Sequence, residues 1–173
     1  MIWRRCGAGR RKRRPDPALR IEIRAISRIR PGPERSLVDT YIERANHHGR
    51  ATGLGPVGER EFDTRSLSGA AAETRALIEG LGSGIVIALD ERGKQMDSRE
   101  FAQMIGRERD QGTREMYFLI GGADGFDHSL LPGNVRLLSF GRMVWPHKLV
   151  RVMLAEQIYR ASALLSGAPY HRD

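Results

Sequence analysis

Cysteine is nearly absent from this chain: Cys6 stands alone among 173 residues. A single thiol excludes an internal disulfide and a multi-cysteine zinc site, and leaves redox chemistry without a thiol pair. Metal-ligand spacing is missing too, since His47, His48 and His128 stand apart from any matching carboxylate or cysteine and read as surface residues. No run approaches the roughly 18 consecutive apolar residues of a membrane span. The N-terminal segment also lacks the apolar stretch of a secretory signal, so a cytoplasmic protein is expected. There is no G-x-x-x-x-G-K-S/T, and "GGADG" has the wrong spacing for G-x-G-x-x-G. Neither G-x-S-x-G nor H-E-x-x-H occurs, so nucleotide-fold and hydrolase readings have no anchor.

What the chain does have is positive charge, +8 at pH 7, a balance that points toward nucleic acid. Its distribution says more. Residues 1–18 hold seven Arg or Lys against one Asp, six of the eight net charges, which leaves +2 for residues 19–173. Arg, Gly and Pro dominate that first segment, a composition that cannot bury apolar area and is expected to be disordered. Two readings fit it: a basic arm that touches RNA, or an extension from a start codon assigned upstream of the true one, because the folded pattern opens abruptly at Leu19. With 40% hydrophobic residues in the chain, residues 19–173 suffice for a single domain.

In "LRIEIRAIS", Leu19, Ile21, Ile23 and Ala25 alternate with Arg20, Glu22 and Arg24, the period of two of a strand with one wet face. After the "RPGP" break, Leu37, Val38, Tyr41, Ile42 and Ala45 recur at three- and four-residue steps, predicting a helix that ends near "HHG". "GRATGLGPVG" reads as loop, "EREFDTRSL" as an exposed strand, and "GAAAETRALIEGLG" as a helix closed by glycine. "GIVIALD" is a continuous apolar, β-branched run, expected at the centre of a parallel sheet with both faces covered. Asp97 and Glu100 have capping-box spacing ahead of Phe101, Ala102, Met104 and Ile105, predicting a helix from Ser98 to Gln111. "REMYFLIGG" follows as a buried strand, "DHSLLPG" as a turn or short helix, "VRLLSF" as a strand, and a last helix runs from His147 to Ser166. Strands alternating with helices predict an α/β fold with a parallel sheet and right-handed crossovers.

In parallel sheets, ligands bind beyond the carboxyl ends of the strands, where loops bring free backbone groups to them. Three such ends carry unusual residues: "ALDERGK", "LIGGADGF" and "SFGRMVW". Gly121 and Gly122 would let backbone groups reach a ligand without an intervening Cβ; a tight turn is the alternative. Met143, Val144 and Trp145 either wall an apolar slot for a flat base or a thioether, or pack into the core. Pro146 suits a first helical turn, and three roles are open to His147 after it: proton acceptor, phosphate ligand at the positive end of the helix dipole, or helix cap. The last helix turns Leu149, Val150, Met153, Leu154, Ile158, Ala161 and Leu165 toward a core, and Glu156 is spaced to pair with Arg160. Val152, Tyr159 and Leu164 broaden its apolar face in the way a second subunit requires. The ending "GAPYHRD" places Tyr170, His171 and Arg172 last, either a frayed end or the stacking, hydrogen-bonding and charged groups of an RNA contact.

Taken in order, "LIGGADGF", "SFGRMVWPHKLVRVMLAEQIYRA" and "PYHRD" make residues 19–173 resemble the RlmH family, bacterial 23S ribosomal RNA (pseudouridine-N3) methyltransferases of the SPOUT superfamily. Residues 1–18 have no counterpart in that pattern. The resemblance implies a deep trefoil knot at the carboxyl end, which composition alone would never suggest because knots are rare. It implies S-adenosyl-L-methionine held bent by the knotted loops, with Leu89, Gly121, Phe140, Gly141, Arg142, Met143, Val144 and Trp145 lining its site. It also implies a homodimer, which the broad last helix suits.

The reaction it implies is an in-line attack by N3 of a pseudouridine on the cofactor's methyl group, where alignment is much of the protein's work. His147, Tyr170, His171 and Arg172 are the candidates for handling the N3 proton or the resulting anion, with Arg151 a further candidate for phosphate or anion contact. The last residues are expected to close over the partner subunit's cofactor. A charge of only +2 outside the first segment gives modest affinity for naked RNA, which favours 23S RNA within the assembled ribosome as the substrate. Two other readings stand beside this one: a non-catalytic ribosome-binding or assembly factor of the same fold, and a knotted methyltransferase acting on transfer RNA.

Overall fold

The computed structural model describes residues 18–63, 65 and 68–167, so the basic segment and Tyr170, His171 and Arg172 lie outside it. Among the described residues the chain runs β1 (Leu19–Ile26), α1 (Pro33–Gly49), β2 (Leu54–Phe62), α2 (Gly69–Ile78), β3 (Ile85–Gln95), α3 (Ser98–Asp110), β4 (Glu115–Ile120), β5 (Arg136–Ser139) and α4 (His147–Leu165). The strands pair in parallel in the order β2-β1-β4-β3-β5, the α/β parallel sheet expected from the alternation of elements.

Strand alternation decides which face each residue takes. Ile21 and Ile23 of β1, Met116 and Phe118 of β4 and Ile87 of β3 belong to the larger core, completed by α1, α3 and α4. Val86, Ala88, Tyr117 and Leu119 turn the other way, toward Leu77 of α2 and Phe126. β1 therefore has no fully wet face. Arg24, expected in solvent, is 3% exposed. Its Nη1 donates to the carbonyl oxygens of Leu77 at 2.9 Å and Glu79 at 2.7 Å, at the end of α2. A helix C-terminus leaves carbonyls unpaired and carries the negative end of the dipole, so a buried cation is satisfied there.

The centre of the sheet is β4, and the "GIVIALD" strand lies one place from the edge. β3 also runs past its apolar residues to Gln95. Its pairing with β5 reaches Leu89↔Leu138 and resumes at Lys94↔Leu138, so residues 90–93 bulge out between. Gly93 permits this close passage, because a Cβ there would sit 2.5 Å from the backbone N and C of Leu138. β2 begins inside the segment expected to be loop and stops short of the expected strand end. Gly55 and Pro56 are tolerated because β2 is an edge strand whose pairing is irregular at its start.

α3 begins as its sequence predicts. Glu100 N–H donates to Asp97 Oδ1 at 2.7 Å and Asp97 N–H to Glu100 Oε2 at 2.9 Å, a cap that stabilises a helix by about 1 kcal/mol. α4 packs against both α1 and α3, and Tyr159 stacks on Tyr41 with ring centres 6.0 Å apart. Much of its broad apolar face is thus used within the chain. Leu149, expected inside, is exposed, and Met153 is half-buried. Glu156 and Arg160 pair at 2.6 Å as expected. Among the described residues no helix is long and apolar enough to cross a membrane.

Candidate functional site

The bulge of β3 and the carboxyl ends of β4 and β5 open onto one cleft of about 690 Å³. Leu89 to Arg92 contribute from the bulge of β3, and Ile120, Gly121, Leu138 and Ser139 from the ends of β4 and β5; residues 122–126, 140, 141 and 143–147 supply the rest of the lining, with Val150. Of the residues singled out in the sequence, Leu89, Gly121, Phe140, Gly141, Met143, Val144, Trp145 and His147 come together here. Arg142 is exposed and is not among the lining residues.

Each wall has a local cause. A Cβ on Gly121 would lie 3.0 Å from the Gly125 carbonyl oxygen, and Gly125 N–H donates to the Gly122 carbonyl at 3.2 Å, closing the turn. This is the tight-turn reading of the glycine pair: the space that a side chain on Gly121 would need is taken by Gly125. Gly141 has φ +122°, a conformation that favours glycine. Ser139 fixes it: Oγ–H donates to the Gly141 carbonyl at 2.8 Å and Oγ accepts from Gly141 N–H at 3.2 Å. Beyond that turn, Met143 is 69%, Val144 82% and Trp145 38% exposed. Core packing is thereby excluded for all three, and contiguous exposed apolar side chains of this size mark a binding surface.

Asp90 comes from the bulge of β3. It accepts from Arg92 Nε at 3.0 Å and from Arg92 Nη2 at 3.0 Å, and its Oδ2 lies 3.0 Å from His128 Nε2. The hydrogen bonds from Arg92 hold the Asp90 carboxyl below its ordinary range. Asp90 therefore stays ionised and orients a guanidinium at the mouth of the cleft. His128 is exposed, as expected, and its ring meets this pair at the surface.

His147 opens α4 with no side-chain capping bond, which removes the cap from its three roles. Burial first, then the positive charges of Arg151 and Lys148, push its pKa down. The ring is neutral at neutral pH, able to accept a proton and poorly suited to hold phosphate by charge. Its folded pKa lies below the unfolded one, so the unfolded chain binds more protons in acid. The stability it contributes is present above the ordinary value of 6.5 and is lost as pH falls through the folded value. His147→Gln is expected to flatten the fall of the unfolding midpoint below pH 6.5; an unaltered profile in a pH series of thermal melts would contradict this.

Arg151 cannot serve an external anion, contrary to expectation. It is 0% exposed. Nη2 donates to the Ser27 carbonyl at 2.6 Å, Nη1 to Glu61 Oε1 at 3.1 Å, and Nε lies 3.2 Å from Glu59 Oε1. Arg35 of α1 shares both acids. This cluster binds the first turn of α4, and with it His147, to the ends of β1 and β2. Asp90, Ile120 and Ser139 were missed among the lining residues, although each sits within one or two positions of a residue that was chosen; the strand ends themselves were the available signal.

Residues 19–171 match the family described as "Predicted SPOUT methyltransferase". Proteins named ribosomal RNA large subunit methyltransferase H are similar along nearly their whole length. The one from Maricaulis maris is 56% identical over 156 residues, covering 90% of this chain and 100% of that protein. The one from Phenylobacterium zucineum is 54% identical over 155 residues, covering 90% and 100%. The one from Ruegeria pomeroyi is 49% identical over 155 residues, covering 89% and 99%. The family match begins where β1 begins and takes in every strand end that opens on the cleft, and on that extent the chain belongs to the SPOUT methyltransferase family.

Proposed function

We propose that this protein uses S-adenosyl-L-methionine to methylate large-subunit ribosomal RNA, at N3 of a pseudouridine in the 23S molecule, on the assembled ribosome. The observation that carries the reading is the convergence of the β3 bulge and the ends of β4 and β5 on one cleft with an exposed apolar wall, in a chain of a methyltransferase family. The names of its relatives support the class of RNA.

The residues present fit the cofactor. A cleft of about 690 Å³ falls within the range of roughly 300–1,000 Å³ typical of small-molecule sites. Gly141 leaves open space where a side chain would stand, the Gly121–Gly125 turn forms one wall, and Leu89, Phe140, Met143, Val144 and Trp145 offer apolar surface, with Arg142 next to them in sequence. S-adenosyl-L-methionine, when bound, supplies a methyl group already activated on a sulfonium sulfur. The chain's own work is then alignment of the RNA base and management of its N3 proton, which neutral His147 can accept at a ring nitrogen. Tyr170, His171 and Arg172, outside the described residues, are the further candidates for the N3 proton or the resulting anion, with the last residues closing over the partner subunit's cofactor in a homodimer. Residues 19–173 form one domain with a C-terminal trefoil knot, working in the cytoplasm; membership of the family supports these assignments.

Calorimetric titration with S-adenosyl-L-methionine, followed by tritiated-methyl transfer to ribosomes, stripped 23S RNA and transfer RNA, tests the reading. Cofactor binding and label in 23S RNA, greater on ribosomes than on stripped RNA, are expected. Binding to ribosomes without transfer would make the protein a non-catalytic factor, and label in transfer RNA would reassign the substrate. Equal label in both 23S samples would remove the assembled ribosome from the proposal.

A further inference from the structure

α2 contributes no residue to the cleft lining, yet it meets the loop after β4 at two points. Thr74, fully buried, accepts the Asp127 N–H at 3.0 Å through Oγ1. One residue earlier, the Glu73 carboxylate occupies the space that a Cβ on Gly122 would need. Gly122 has no positive φ, so its backbone conformation does not demand glycine. What the missing side chain provides is room for the carboxylate.

That carboxylate is not there for an ordinary reason. Oε2 of Glu73 is buried with no hydrogen-bond partner among the described residues, and buried polar atoms in native proteins are nearly always paired. Burial first, then the charge of Asp124 in the same loop, push the Glu73 carboxyl up, while the Gly122 N–H acts the other way. A destabilising arrangement thus sits directly behind the backbone that forms one wall of the cleft.

We infer that Glu73 is a positioning residue for the cofactor site: its carboxylate, seated where Gly122 has no side chain, sets the placement of the Gly121–Gly125 turn. Thr74 fixes the far end of the same loop at Asp127. Pairing between Gly122 and Gly125 carries the placement to Gly121, which lies against Gly125 from the other side. Placement of a wall by packing from behind is how a site keeps its geometry without adding a group to the ligand's first contacts. The inference rests on the methyltransferase reading of the cleft.

The test is a double-mutant cycle on the full chain, read as the S-adenosyl-L-methionine Kd by calorimetry, the KM against kcat for methyl transfer, and the thermal unfolding midpoint. Glu73→Ala is expected to raise Kd and KM about tenfold with kcat changed less, and Glu73→Gln, which keeps an acceptor for the Gly122 N–H, by no more than about threefold. Gly122→Ala pushes the carboxylate away and should also weaken binding about tenfold, yet cost little more once Glu73 is alanine, so the double variant also binds about tenfold, not hundredfold, more weakly. Additive losses, or a folded Glu73→Ala with wild-type Kd, would overturn the inference. Should Glu73→Ala not fold, Glu73→Asp, which withdraws the carboxylate by one methylene, is read in its place, and an unchanged Kd there is equally fatal. A wild-type protein that does not bind S-adenosyl-L-methionine defeats the methyltransferase reading itself, a result distinct from any of these.

Discussion

Replacing Arg151 by alanine is expected to lower the unfolding free energy by about 3–5 kcal/mol, the usual cost of removing one partner from a buried ionic cluster. The guanidinium is fully buried and is shared among Ser27, Glu59 and Glu61. Without it, two carboxylates remain within the cluster, with Arg35 the cation left to both. Glu61 still accepts the Ile29 N–H at 2.9 Å, which does not neutralise it. Arg151→Lys should recover only part of the loss, because an ammonium cannot reproduce the planar fork that donates to Ser27 and Glu61 together while facing Glu59. Urea unfolding is the measurement: a lower midpoint at constant slope is expected, and a loss below about 1 kcal/mol would show that the cluster contributes no more than a surface pair. Since Arg151 lies one turn after His147, cofactor affinity should fall with it.

Gly93→Ala is expected to cost about 1–3 kcal/mol, as overpacking does, and to weaken cofactor binding at least tenfold. The new Cβ would meet the Leu138 backbone at 2.5 Å and the Leu137 carbonyl carbon at 2.6 Å. Backbone cannot rotate aside as a side chain can. Relief must come from separating β5 from β3, its one partner among the described strands. The strand so displaced carries Ser139 and the turn at Gly141, and therefore the apolar wall beyond them. Gly58→Ala is the control, with nothing within 4 Å of its would-be Cβ. Calorimetry and denaturant unfolding on both variants check the prediction; an undisturbed Kd in Gly93→Ala would detach the bulge from the site.

The features legible in the sequence are those decided by near neighbours. Asp97 and Glu100 cap α3 because both partners lie within one turn, and the alternation of β1 fixes its faces because a strand has period two. Sheet order was not legible. "GIVIALD" reports burial on both faces, and a strand one place from the edge satisfies that as well as a central one. Arg24 and Arg151 read as surface groups because nothing beside them in sequence shows their partners. These partners are the end of α2, and Glu59 and Glu61. Glycine and proline pointed to loop at Gly55 and Pro56, where an edge strand accepts them. The cleft was legible in outline, because the ends of parallel strands are where such sites form. Glu73 was not, since it acts from behind the wall on a helix that contributes no residue to the cleft lining.

The spacing of the Arg151 cluster along the chain also orders how the protein can fold. Glu61 precedes Arg151 by 90 positions and Ser27 by 124. The acids at the end of β2 can be fully compensated only after the whole of the chain through the first turn of α4 is in place. Contacts this distant in sequence slow folding, because loop closure must precede any gain from them. Until α4 docks, Glu59 and Glu61 have Arg35 as the cation shared between them.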